Sequence, residues 1–422
     1  MSSDDAITDP FSERRRSLLV DFANVTGSHD AQKISATWSE YHHDLAGARG
    51  IFVVDDPKHA LMLPDDHDFG GKGFLRSLMG STQLLNIQNP EDAREFRYSA
   101  PIFCDTNFVS LCGAFFAGRD LGSNADSFRE AVNFLLPIAN SLNATAYTME
   151  NAENSDTDKI RESLIGFAAM TRTPIEYFKR HQTFTTTGSD ELGRMVDEVL
   201  EMMRGSDFHT FHGMVKEHYT LARVILLKST LITFTRGESA VETRMRELFR
   251  FLHEELARFP QFGIYVAFRF FSLNAKEPFF SSVQQNASAL ERTLNSMAWD
   301  LAHWMTLFHV TNIGSSKITN AAFPVPHFLS FDRRFIRLTE TFKLDGIIYA
   351  AKGKRCEHFY SRPVLRAVSN LLERPLGEFN TAAAIADRRR RITEGERQFD
   401  ERLLAVDADL SQQLVKFCER KL

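Results

Sequence analysis

The sequence predicts an α/β protein in which short buried strands are separated by much longer helical segments. Three observations lead there. Ile102-Phe103-Cys104 and His327-Phe328-Leu329-Ser330-Phe331 are short apolar runs, the pattern of strands covered on both faces. Each ends in an aspartate, Asp105 or Asp332, at the start of a helical stretch. Between them, apolar residues recur at helical spacing, as in the stripe Leu192, Met195, Val199 and Met202. Strands that alternate with helices imply a parallel sheet.

The elements follow in order. Ser12 to about Leu45 has a helical pattern. Ile51 to Leu63 (IFVVDDPKHALML) places two apolar runs around Asp55-Asp56-Pro57-Lys58 and predicts a hairpin, and residues 64–100, with Pro64, Gly70-Gly71 and Gly80, read as loop-rich. After the strand 102–104, Asp105 or Asn107 caps a helix, and Ser127 to Leu142 forms another. Ala144 to Met149 reads as extended, and Asp156 to Met170 as helix. Residues 181–285 are helical throughout, and Ala287 to Val310 continues as helix. Gly346 to Ala350 is a last strand, and the chain after Pro363 is helical and highly charged. The predicted organisation is an N-terminal helix and hairpin region (1–100), an α/β core (101–180 with 286–350), a helical insertion (181–285) and a helical C-terminal region (351–422).

Composition narrows the function classes. The 422 residues are 43% hydrophobic and 25% charged, enough for a full core without covalent staples. Thirty-seven phenylalanines point to aromatic packing between helices. A formal net charge of −5 excludes a global basic field, so nucleic acid would have to be held by local patches. Cys104, Cys112, Cys356 and Cys418 form no CxxC pair, which argues against a zinc knuckle or a disulfide framework. The most apolar stretch, Leu221 to Phe234, is broken by Arg223 and Lys228, so no membrane span is expected. With no apolar signal core at the N-terminus, the expected setting is cytoplasmic.

The chemistry centres on carboxylates. Asp105 and Asp332 each end a buried strand, where open α/β sheets place their sites. A bare carboxylate there is costly unless a charge compensates it, and a hard divalent cation does so naturally. Ser330, two residues before Asp332 on the same strand face, is placed to orient that carboxylate or a water on a bound metal. Asp300 flanks a stripe formed by Leu290, Leu294, Met297, Leu301 and Phe308, and Glu150 follows the segment TAYTM. Capping alone offers another account of Asp105 and Asp332, since aspartate is favoured before a helix without any metal.

Four segments together resemble PIN-domain ribonucleases. IFCDTNF resembles the family's first strand and helix, TAYTMEN its second acidic segment, MAWDLAHWMTL its central helix and FLSFDRRF its last acidic motif, all in the family's order. The resemblance covers residues 101–180 and 286–350. It implies a PIN-like parallel sheet flanked by helices, with a large helical insertion and a helical C-terminal tail. It also implies that Asp105, Glu150, Asp300 and Asp332 are the catalytic acids and ligands of Mg²⁺ or Mn²⁺, with Asn107 and Ser330 supporting them. The implied activity is hydrolysis of RNA, or of DNA, at phosphodiester bonds. The sequence departs from the family in the long separation of Glu150 from Asp300, and Glu153 or Asp156 are substitutes for Glu150.

Arg333, Arg334, Lys352, Lys354 and Arg355 fall beside the last predicted strands, where they are placed to hold substrate phosphates. Segment 181–285 would contact RNA, a regulator or a second copy of the chain. Other features weigh less. Arg388 to Arg391 sits among Asp387, Glu394 and Glu396 and reads as a salt-bridged face. His209, His212 and His218 lack a convincing third zinc ligand. Asp65, Asp66 and Asp68 read as solvated, and Asp21, after Leu18-Leu19-Val20, is a competing first acid. The alternative to a nuclease is a helical scaffold on a catalytically inactive PIN-like core.

Overall fold

The computed structural model describes residues 13–56, 58, 63–88, 98–237, 239–284, 289–316, 323–349, 356–361, 377–379, 381–395 and 398–419. Among these, eleven strands are β1 (Arg49–Val53), β2 (His67–Phe69), β3 (Gly73–Ser77), β4 (Leu84–Gln88), β5 (Tyr98–Ser99), β6 (Ile102–Cys104), β7 (Leu142–Asn143), β8 (Phe323–Pro324), β9 (His327–Ser330), β10 (Leu344–Tyr349) and β11 (Glu357–Tyr360). They form a five-stranded sheet in the order β2-β3-β9-β6-β7, a four-stranded sheet in the order β11-β10-β1-β4, and the small pair β5-β8.

The α/β class is as expected, but the sheets are mixed. Only β9, β6 and β7 run parallel in the five-stranded sheet; β3 is antiparallel to both β9 and β2. The four-stranded sheet is antiparallel throughout. Several sequence expectations are corrected. β1 does not fold onto the residues after it as a hairpin but pairs with β4 and β10. Among the described residues of segment 64–100, loop is interrupted by β2, β3, β4 and β5. Gly70 and Gly71, at φ +53° and +68°, make the tight turn that returns β2 as β3. Residues 144–149 are not extended: Thr145–Glu150 is a short helix after β7. The strand containing Gly346 joins the four-stranded sheet, away from β6 and β9.

Alternation along the central strands builds two cores. Phe74, Phe103 and Phe328 face one cluster, whereas Leu75, Ile102, Cys104 and Leu329 face the other. The sheet is therefore buried on both sides, which explains the uninterrupted apolar runs that predicted it. The second side is covered by helices Thr106–Phe116, Ala125–Leu135, Thr157–Arg172, Ile175–His181 and Ser189–Met202. The first is covered by Ser206–Arg236, Val241–Phe251, Gln261–Leu273 and Leu290–Ser316. C-terminal Leu403, Leu410 and Leu414 belong to the same cluster. Segment 181–285 thus supplies cover to both faces of the sheet. A third cluster packs helices Glu13–Thr26 and Ala31–Glu40 on Phe52, Leu85 and Ile348 of the antiparallel sheet and on Val54 just after β1.

Two glycines set the depth of the helix behind the site. A Cβ on Gly166 would lie 2.4 Å from the Cys112 carbonyl oxygen, and one on Gly113 would lie 2.7 Å from Ser163 Cα. Only glycine lets Thr106–Phe116 and Thr157–Arg172 approach this closely.

Candidate active site

Parallel pairing of β6 with β9 creates the site. Cys104 lies opposite Leu329, and the Asp105 N–H donates to the Leu329 carbonyl at 2.9 Å. Asp105 therefore comes level with Ser330 at the carboxyl ends of both strands, with Asp332 two residues further on. Asp105 caps the helix Thr106–Phe116, and its Oδ1 accepts from Phe108 N at 2.8 Å. Its Oδ2 accepts from the Ser330 hydroxyl at 2.5 Å and from Asn107 Nδ2 at 3.3 Å. Ser330 was expected to serve Asp332; instead its hydroxyl donates to Asp105 while its oxygen accepts the Asp332 backbone N–H at 3.0 Å. One hydroxyl thus ties the two strand-end acids together.

Glu150 stands at the end of the Thr145–Glu150 helix. Its Oε2 accepts from Thr106 Oγ1 at 2.5 Å and lies 3.4 Å from His303 Nε2. Neither partner was picked out from sequence, although Thr106 follows Asp105 and His303 sits three residues after Asp300, one helical turn along. The His303 ring also stacks on Trp299, with centroids 5.5 Å apart. Asp300 comes from the Leu290–Ser316 helix, which packs against β8, β9 and β10.

The charges of these four acids act on one another. Asp105 is 2% exposed; burial pushes its pKa up to about 6 against the pull of the Ser330 and Phe108 hydrogen bonds, and the charge of Glu150 pushes the same way. Asp300 is 8% exposed; burial, then the charges of Asp332, Glu150 and Asp105, raise it well above the carboxylate range, with Arg334 opposing. Its Oδ2 is buried without a hydrogen-bond partner. Asp332, also 8% exposed, accepts from Arg334 Nε at 2.9 and 3.1 Å and from Arg334 Nη2 at 2.5 Å.

Compared with family models, curated proteins and solved structures, the chain shows no match. What the site can do rests on its own chemistry. Carboxylate oxygens are the donors that Mg²⁺ and Mn²⁺ take, and the orphaned Asp300 oxygen is a buried acceptor that a cation would satisfy, so the residues fit such an ion. Among the described residues, no three His, Cys, Asp or Glu side chains close on one point as a ready ligand set. Each acid has its own partner: Asp332 faces Arg334, Glu150 faces Thr106 and His303, and Asp105 faces Ser330 and Phe108.

A cleft of about 290 Å³ opens beside Asp332, lined by Lys72, Asn107, Asn124, Phe331, Arg333 and Arg334. Lys72, in the turn between β2 and β3, and Asn124 were not expected there. Lys352, Lys354 and Arg355 lie outside the described residues.

Other sequence candidates have different surroundings. Asp21 lies within the helix Glu13–Thr26 rather than at the end of a strand, and it accepts from the Tyr41 hydroxyl. Asp66 and Asp68 are exposed, and each also has a partner: Asp66 accepts from Ser77 N and from Lys343 Nζ at 2.9 Å, and Asp68 pairs with the buried Arg76. His212 stacks on Phe208, and His218 meets Thr306 and His309. Arg391 donates to the backbone carbonyls of His253 and Glu254, and Arg390 pairs with Asp387 and Glu394. No helix among the described residues is long and apolar enough to cross a membrane.

Proposed function

We propose that the chain is a metal-dependent, PIN-like phosphodiesterase acting on RNA, with Asp105, Glu150, Asp300 and Asp332 as its acidic centre. The observation that carries this reading is that Ser330 ties Asp105 and Asp332 together at the ends of β6 and β9, and the charges of Asp332, Glu150 and Asp105 all bear on Asp300. Like charges repel in a low-dielectric pocket, so a purely structural site gains nothing from gathering them. Perturbed carboxylates in a pocket beside a cleft mark a functional site.

On this reading, Asp105, Asp300, Asp332 and Glu150 hold Mg²⁺ or Mn²⁺. The ion supplies neutralisation of phosphate charge and a more acidic water. Ser330 and Asn107 orient Asp105, while Thr106 and His303 hold Glu150. Lys72 and Arg333 in the cleft attract the phosphate backbone, and Asn107 and Asn124 offer amide donors to it. A cytoplasmic setting fits four free cysteines, three of them buried. A regulated role of the toxin or defence kind follows from the resemblance alone.

A second reading, an inactive core serving as a partner-binding scaffold, is favoured by the Arg334 fork on Asp332. Mn²⁺-dependent cleavage of labelled RNA and DNA separates the two. We expect RNA cleavage by the wild type that is lost in both Asp105→Asn and Asp332→Asn. Unchanged cleavage in both variants would sink the nuclease reading, and a folded wild type that cleaves neither polymer would support the scaffold.

A further inference from the structure

Arg334 is in contact with two things at once. Its guanidinium forms a two-pronged contact with Asp332, using Nε and Nη2 against both carboxylate oxygens. The same side chain is half-buried and lines the cleft with Lys72, Arg333 and Asn124. Its backbone N–H also donates to Asp332 Oδ1 at 2.9 Å, so the two residues stay adjacent whatever the side chain does. Both oxygens that Asp332 could offer a cation are engaged, while the neighbouring Asp300 Oδ2 is buried and unpartnered. A guanidinium is the side chain whose fork matches a carboxylate and a phosphate equally well.

We propose that Arg334 and a divalent cation compete for Asp332, so that cation binding turns the guanidinium into the cleft, where it holds a substrate phosphate. Arg334 is then a positioning residue that links metal binding to substrate binding. The movement needs only side-chain rotation, since the cleft and Asp332 are both within reach of the same Cα. The exchange keeps charges paired throughout: Asp332 passes from Arg334 to the cation, and Arg334 from carboxylate to phosphodiester. It also explains why an arginine two residues after a strand-end acid would leave that acid without room for a ligand set.

The inference rests on the acidic pocket being a cation site, and the test separates the two ideas. Mn²⁺ affinity is measured from the free-ion electron paramagnetic resonance signal for wild type, Arg334→Met, Arg334→Lys and Asp300→Asn. Removing a charge-assisted fork that Mn²⁺ must displace should tighten binding roughly tenfold in Arg334→Met. Arg334→Lys, which keeps the charge without the fork, should fall between. Asp300→Asn should abolish binding. If Asp300→Asn abolishes binding but Arg334→Met binds no tighter than wild type, the competition is wrong and the cation site stands. If Asp300→Asn binds as wild type does, the cation site fails, and the competition fails with it. The added rise in melting temperature on Mn²⁺ addition, larger in Arg334→Met than in wild type, reads the same effect through folding. For the phosphate half, anisotropy of a fluorescent phosphorothioate RNA should show Mn²⁺ tightening its binding to wild type but not to Arg334→Met. Equal tightening in both would overturn that half.

Discussion

Asp105→Asn should stabilise the metal-free protein at neutral pH, although it removes the acid at the centre of the site. Burial lifts the Asp105 carboxyl from its ordinary 3.8 to about 6. The folded state therefore favours the protonated form, and stability is lost as pH rises from about 4, where the unfolded chain ionises, through about 6, where the folded protein does. At about 1.4 kcal/mol per pH unit, ionised Asp105 costs about 3 kcal/mol at pH 7.5 and about 1 kcal/mol at pH 4.5. Asparagine is a neutral isostere that still accepts from Phe108 N but puts an amide N–H where Oδ2 accepts from Ser330 and Asn107, which gives back about 1 kcal/mol at any pH. Urea denaturation in EDTA should show the variant ahead by about 2 kcal/mol at pH 7.5 and about level with wild type at pH 4.5. A variant less stable than wild type at pH 7.5, or a gap that does not change with pH, would refute the claim that Asp105 is ionised at a cost.

Three other outcomes follow from the same geometry. Gly166→Ala should destabilise by roughly 3 kcal/mol in urea denaturation, because the added methyl meets the Cys112 carbonyl rather than a flexible side chain. His303→Gln should fold normally yet lower RNA-cleavage kcat roughly tenfold to a hundredfold with little change in KM, since His303 acts through Glu150. Lys72→Glu and Arg333→Glu should each weaken RNA binding, measured by anisotropy, and flatten its salt dependence while leaving Mn²⁺ affinity near that of wild type.

The legible parts of the fold were those fixed by local pattern. Strands β6 and β9 showed themselves because both faces are buried, so apolar residues fill them and the polar residues, His327 and Ser330, stand at the two ends of β9. The aspartate that ends each strand could be placed with them. Thr145–Glu150 was misread because its alternating Thr, Ala, Tyr and Thr suits a strand. A six-residue helix has little propensity of its own and is fixed by its burial against β6. Strands β2 to β5 were hidden because they are short, and because β3 and β5 find their partners β9 and β8 more than two hundred residues later. The partner of the exposed Asp66 is hidden for the same reason: Lys343 is remote in sequence and close only after folding. The Arg334 fork could not be foreseen, since a basic residue after a strand-end acid reads equally well as a phosphate contact. Thr106 and His303 were within reach, each one step from an acid already chosen, but nothing local pointed them at Glu150.

The most direct test of the acidic centre is the anomalous scattering of Mn²⁺ in crystals of the full chain. The account predicts a peak among Asp105, Asp300 and Asp332 at the carboxyl ends of β6 and β9, with Arg334 turned away from Asp332. Crystals saturated with Mn²⁺ that show no peak there, with Arg334 still forked onto Asp332, would contradict it.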